Sequence, residues 1–298
     1  LLILHWGILC LIINSKYLLI SHRLGYAVMC RLAVAFGRFN NAREILIDVG
    51  NSLVKAASMD PYGKDFLNEE KHGDGWGVLL LRVGNSSALY HRSVRAIFMD
   101  NAVDVIGGFL SNVNGDDAVL AMMHARAAST GTPINIFSTH PVRTETIDGQ
   151  ELYMIHNGSF YRDDIAREAG IDKDYAGKFN DTYIANLALA KRVKDDINRD
   201  DLAWLLRFVR TGANLGIALV GDSLVTLIVG SYYRVVDDEK KVFREKYYRL
   251  YQCELPGGFV YASSTVIDFY RPNFVSNCHA LSNGEYHKYY ISASGDVR

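Results

Sequence analysis

Cys30 stands in the stretch Met29-Cys30-Arg31-Leu32-Ala33-Val34, directly behind a methionine. Read alone, a cysteine before an apolar run is a buried thiol, because free Cys is among the most buried residue types. Met29 opens another reading. Initiation at that methionine, followed by its removal, would leave Cys30 as the first residue, with a thiol and a free α-amine on one side-by-side pair of atoms. An α-amine has an ordinary pKa of roughly 7.7–8.0, low enough to take a proton near neutrality. One residue would then supply both nucleophile and base for attack on an acyl carbon.

A nucleophile of this kind needs donors for the developing oxyanion and charged partners for the substrate. Four further stretches hold candidates. In His124-Ala125-Arg126-Ala127-Ala128-Ser129-Thr130-Gly131, Arg126 ends an apolar run and presents a planar fork suited to a carboxylate. A structural ion pair is the competing reading. In His156-Asn157-Gly158 the glycine allows close approach of the backbone and the amide adds a donor, which together could hold an oxyanion. An isolated Asn-Gly pair equally makes a hairpin turn. Asn180-Asp181-Thr182 offers a carboxylate for an ammonium group, or a helix cap. Thr139-His140-Pro141 puts a histidine on a rigid turn.

Other chemistries are disfavoured. His72, His124, His140 and His156 show no HxH or HExxH spacing, so neither a metal nor another cofactor is expected. Neither GxxxxGK[ST] nor GxGxxG occurs, which removes the usual nucleotide cradles. A net charge of −1 gives no basic footprint for nucleic acid. The four cysteines are widely spaced without a CxxC pair, so a disulfide scaffold is not expected and a reduced, cytoplasmic setting is the default.

The elements that must position these residues follow from the patterning. A strand is expected over Arg31 to Phe39 and an amphipathic helix over Asn41 to Ser58, with Asn41 as its cap. Asp60-Pro61-Tyr62-Gly63 reads as a turn. Gly73-Asp74-Gly75-Trp76-Gly77 leads into a buried strand to Val83, a turn at Gly84 to Ser87, and a hairpin partner over Ala88 to Arg92. Asp100 to Asn112 reads as a helix, and Asp117 to Arg126 fits helix or strand equally. Ser129 to Pro141 reads as a loop, and Glu151 to His156 as a short strand entering Asn157-Gly158. A helical segment interrupted near Gly170 and Gly177 spans Asp163 to Asp196, and another helix runs from Asp201 to Val209. Strands are expected at Ile217 to Val220, Ser223 to Tyr233, Tyr247 to Glu254 and Gly258 to Ser263. Short connections and clustered helices favour a layered α+β domain with mostly antiparallel sheet over a doubly wound one.

Taken in chain order, Met-Cys-Arg-Leu, Gly-Asp-Gly-Trp-Gly, the stretch from Arg126 to Gly131, Thr-His-Pro, His-Asn-Gly and Asn-Asp-Thr resemble class II glutamine amidotransferase domains. These belong to the N-terminal nucleophile hydrolases. The resemblance runs from Cys30 to about Ser264, where Tyr261-Ala262-Ser263-Ser264 is similar to a late strand of the family. It is nearest to the stand-alone branch. The resemblance implies a four-layer α/β/β/α sandwich with two stacked antiparallel sheets. It implies Cys30 as nucleophile, with Asn157 and the Gly158 N–H as oxyanion donors. Arg126 and Asp181 would hold the substrate α-carboxylate and α-amine, with Ser129 and His140 beside them. The implied reaction is hydrolysis of glutamine to glutamate and ammonia through a γ-glutamyl thioester. Tyr183 departs from the family, which often carries Glu after the Asp-Ser/Thr pair.

Two alternatives remain at this point: hydrolysis of another γ-glutamyl amide, or a non-catalytic glutamine-binding or structural subunit. The second would follow if residues 1–29 were retained, because Cys30 would then have an amide nitrogen in place of its amine. Leu1 to Ser15 carries no charged residue, and the sequence does not begin with Met. The segment falls short of the ~20 apolar residues of a membrane span and lacks a basic region before its apolar stretch. It reads as an upstream stretch joined to the coding region, a removable pro-segment or signal, or a membrane anchor, the first being expected. Residues 30–298 would form the amidotransferase-like domain. An ammonia acceptor, if there is one, would sit on a separate synthase or acceptor subunit.

Overall fold

The computed structural model describes residues 30–84, 88–111, 113, 117–129 and 131–292. The apolar segment before Cys30, the tip of the turn before Ala88, and Thr130 lie outside the described residues. Along the chain, β1 (Arg31–Arg38) is followed by α1 (Ala42–Ser58), α2 (Pro61–Leu67), β2 (Trp76–Arg82), β3 (Ala88–Ser93), α3 (Ala102–Leu110) and β4 (Ala118–Ala125). The middle of the chain forms β5 (Val142–Glu145), β6 (Glu151–Phe160), α4 (Arg162–Glu168), α5 (Lys173–Ala176), α6 (Asp181–Ala190) and α7 (Arg199–Leu206). The last part forms β7 (Val209–Val220), β8 (Leu224–Ser231), α8 (Lys241–Tyr248), β9 (Leu250–Leu255), β10 (Gly258–Ser263), α9 (Ser264–Tyr270), β11 (Ser276–Ala280) and β12 (Glu285–Ser292).

The strands make two antiparallel sheets. A seven-stranded sheet has the order β11-β9-β10-β1-β4-β2-β3, and a five-stranded sheet the order β12-β8-β7-β6-β5. The period-two alternation of β1 shows how they stack. Leu32, Val34 and Phe36 join Tyr153, Ile155 and Leu227 in a core between the sheets. Ala33 and Ala35 face the other way, onto Ile45, Leu46, Val49 and Leu53 of α1. On the far side, Met154, Leu215 and Ile217 pack against α4 to α7. Three apolar layers thus separate four structural layers, the α/β/β/α sandwich expected from the motif order. Among the described residues no helix is long and apolar enough to cross a membrane.

Several expectations are corrected. Asp60-Pro61 opens α2 instead of a free turn, with Pro61 at the first helical position, where its missing N–H costs nothing. Asp117 to Arg126, ambiguous by periodicity, is strand β4, paired on both edges with β1 and β2. Asn157-Gly158 is no hairpin; β6 runs through it to Phe160. Val209 starts β7 and does not end a helix. Tyr247 and Tyr248 close α8, whose buried Arg244, Tyr247 and Tyr248 have helical spacing, and strand begins only at Leu250. β5, β11 and β12 have no counterpart among the expected strands. A disulfide joins Cys253 to Cys278, contrary to the reduced default. The spacing of the two gave no sign of it, because only the pairing of β9 with β11 brings them side by side. Among the described residues Cys30 is the free cysteine.

Candidate active site

Cys30 directly precedes β1 and shares the face of Leu32 and Val34, so its side chain is directed between the two sheets. It borders a cavity of about 400 Å³ together with Arg126, Ser129, His140, Gly158 and Asp181. The two sheets contribute opposite parts. Arg126 follows β4 of the seven-stranded sheet, whereas Gly158 lies in β6 and Asp181 opens α6 on the five-stranded sheet.

The thiol is nearly inaccessible and donates a long hydrogen bond to the Ala127 carbonyl at 3.7 Å. Burial pushes its pKa up to about 11; the Ala127 contact and the Arg126 and Arg31 charges oppose that rise, and Asp181 adds to it. At neutral pH burial therefore keeps Cys30 as a thiol and not a thiolate.

The Gly-Asp-Gly loop before β2 clasps Arg126. Asp74 N–H donates to the Arg126 carbonyl at 3.0 Å and Arg126 N–H donates to Gly75 at 2.8 Å. The guanidinium donates to the Asp74 carbonyl at 3.3 Å and to Pro133 at 3.0 Å. The Asp74 carboxylate accepts from Ala128 N–H at 2.7 Å, so one loop shapes the whole segment after β4. Arg126 is buried, yet among the described residues no carboxylate pairs with it.

Gly158 has φ of +145°, and a Cβ there would lie 1.9 Å from the Gly212 carbonyl oxygen of β7. No other residue fits, and the strand register shifts just beyond it. Asn157 is fully buried and does not line the cavity wall itself. It shares the inter-sheet face of Tyr153 and Ile155, and both amide atoms lack a hydrogen-bond partner among the described residues. An uncommitted buried amide on the face that carries Cys30 is unusual, because such groups are ordinarily paired.

Asn180 caps α6 by accepting from Tyr183 N–H at 2.9 Å, which leaves Asp181 at the first helical position. The cap reading of this stretch holds at Asn180, while the adjacent Asp181 borders the cavity. One Asp181 oxygen accepts from Phe160 N–H at 2.6 Å, tying α6 to the end of β6.

His140 lies 3.0 Å from His124, and its Nε2 is 3.3 Å from the Asn180 amide. His124 in turn lies 3.1 Å from the His156 carbonyl. His156 donates through Nε2 to Gly212 at 3.1 Å and accepts the Thr182 hydroxyl at Nδ1, 3.0 Å away. Burial keeps these imidazoles neutral: His124 is pushed down to about 3, and His140 and His156 fall below their ordinary range. They form a polar seam behind β4, β6 and α6. Residues not singled out in the sequence also border the cavity: Tyr161, Arg162, Asp163, Asp164 and Arg210. The charged run Arg162-Asp163-Asp164 was the available signal, but in sequence it reads as an ordinary helix start.

No family model matches the chain, and no curated protein sequence does. Among solved structures it is similar to glutamine phosphoribosylpyrophosphate amidotransferase from B. subtilis, with a TM-score of 0.53 and 15% identity. That match covers 90% of this chain and 48% of the other. It is also similar to an allosteric regulatory enzyme of purine biosynthesis, with a TM-score of 0.54 and 14% identity, covering 89% of this chain and 47% of the other. The chain thus spans about half the length of either structure. At these identities the likeness is one of fold: the chain shares the layered two-sheet architecture of both structures.

Proposed function

We propose that the chain hydrolyses the side-chain amide of glutamine, with Cys30 as an N-terminal nucleophile. The observation that carries this reading is the convergence of Cys30, Arg126, Gly158 and Asp181 on one cavity from both sheets. A thiol, a carboxylate-binding guanidinium, an oxyanion strand and an ammonium-binding carboxylate are the parts that cleavage of an amino-acid amide needs.

The free α-amine of Cys30 takes the thiol proton as Sγ attacks the amide carbon. The oxyanion forms towards the Asn157 amide and the Gly158 N–H. The amine then returns its proton to the departing nitrogen, the C–N bond breaks, and ammonia leaves a γ-glutamyl thioester. Water attacks that thioester with the amine again as base, and glutamate departs. Arg126 holds the α-carboxylate and Asp181 the α-ammonium throughout. This scheme requires that the functional chain begin at Cys30, most simply by initiation at Met29 and loss of that methionine. Use of the ammonia in a synthesis would require an acceptor site on a partner protein.

The test is incubation of protein beginning at Cys30 with glutamine, with glutamate and ammonia measured together. Equal release of both is expected. Tight glutamine binding without release would favour a binding subunit.

A further inference from the structure

The residue after Cys30 places a charge where its strand calls for an apolar side chain. Arg31 lies on the face of β1 that carries Ala33 and Ala35 into the helix layer, and its side chain is fully buried. Its Nη2 lies 2.5 Å from Asp60 Oδ2, and Asp60 is equally buried. The same carboxylate pairs with His72 Nε2 at 2.8 Å and accepts the Thr265 hydroxyl at 2.6 Å. Burial alone would raise Asp60; Arg31, His72 and Thr265 hold it well below the usual carboxylate range. The guanidinium stacks 3.9 Å over the Tyr247 ring. Its Nη1 donates to the Tyr247 carbonyl at 3.5 Å and to the Cys30 carbonyl at 3.2 Å.

We infer that Arg31 and Asp60 are positioning residues for Cys30, acting through its backbone carbonyl. The inference rests on the reading of Cys30 as the nucleophile. A first residue has lost one of its two chain attachments. The sheet register begins only at Arg31, opposite Ala125, and the next hold is Leu32 N–H on Ser263 Oγ at 3.0 Å. Fixing the Cys30 carbonyl fixes the peptide plane, which leaves rotation about the Cα–C bond to place both amine and thiol. Asp60 keeps the guanidinium in the plane that reaches this carbonyl.

Stability alone does not require such a pair. Buried ion pairs replaced by apolar residues of similar volume are often as stable or more so, whereas removing one partner strands a charge. What apolar side chains cannot supply is a directed hydrogen bond to one carbonyl. The other charged groups acting on Cys30 are Arg126 and Asp181, on the cavity side. The variants below leave both in place.

The test uses the chain beginning at Cys30 and the double variant Arg31→Met/Asp60→Leu, with Arg31→Lys as a second variant in case the first does not fold. Lysine keeps the charge but cannot bridge Asp60 and the Cys30 carbonyl with a planar fork. The expected result is a folded protein whose kcat for glutamine falls at least about tenfold, or one decade of rate, while KM stays within about twofold. In Arg31→Lys, which keeps the positive charge that itself lowers Cys30, the pH profile of Cys30 alkylation by iodoacetamide should also move to higher pH, because the amine no longer meets the thiol. Folded variants with unchanged kcat and an unchanged alkylation profile would overturn the inference. If the parent protein does not hydrolyse glutamine but its alkylation profile still shifts in Arg31→Lys, the positioning role stands and the glutaminase reading fails.

Discussion

Cys30 and Arg31 are neighbours where β1 begins, yet they face opposite kinds of environment. Towards the cavity and the inter-sheet face, two polar side chains lack side-chain partners among the described residues. Arg126 bonds only backbone carbonyls among its described partners, and the Asn157 amide is bonded by nothing described. Towards the helix layer, charged groups are committed to one another: Asp60 meets Arg31, His72 and Thr265, and Arg31 also meets two carbonyls and an aromatic face, although its Nε finds no acceptor among the described residues. A buried cluster whose charges are paired with one another holds geometry. Groups without such partners are available to a ligand, which is what the proposed reading asks of them.

Breaking the cavity side should therefore cost activity with little loss of fold. The largest effect belongs to Cys30→Ala, which should bring glutamine hydrolysis to background, a loss of at least about a thousandfold. A glutamine-like electrophile should label Cys30 alone. Asn157→Ala should lower kcat by about a hundred- to a thousandfold, as loss of an oxyanion donor does elsewhere, without unfolding the protein. Thermal melting that drops sharply with activity would instead make Asn157 part of the inter-sheet core. Arg126→Ala removes charge-assisted hydrogen bonds of roughly 1.5–3 kcal/mol and should cost at least about tenfold in kcat/KM. The smallest effect on activity is expected from Cys278→Ser, far from either face of Cys30. It should lower stability by about 2–4 kcal/mol in denaturant titrations and leave kcat/KM unchanged.

Which residues border the cavity was easier to read in sequence than the details of the strands and helices around it, for identifiable reasons. Arg126, Gly158 and Asp181 stand in short local motifs whose order along the chain is itself a signal. Asn41 capping α1 and the helical stripe behind it are local too, and both were read correctly. What escaped depends on distant partners. Asp60-Pro61 looks like a turn, but the Asp60 carboxylate is turned away from capping by Arg31, His72 and Thr265. β4 is an apolar run whose strand character comes from lying between β1 and β2. Cys253 and Cys278 meet only through a sheet register that no local pattern encodes. Arg31 was read as part of a motif, and its burial against Asp60 could not be anticipated from the residues beside it.

The central claim is that Cys30 supplies both nucleophile and base, which requires its amine to be free. The most direct measurement compares two preparations of the same chain, one beginning at Cys30 and one retaining Met29, for release of glutamate from glutamine. A positioned base contributes about 10²–10⁴ in rate. The account predicts hydrolysis by the chain beginning at Cys30 and a loss of that order when Met29 is retained, its presence verified by intact mass after the assay. Equal activity in the two preparations would contradict it, because the proton would then be moved by some group other than the Cys30 amine.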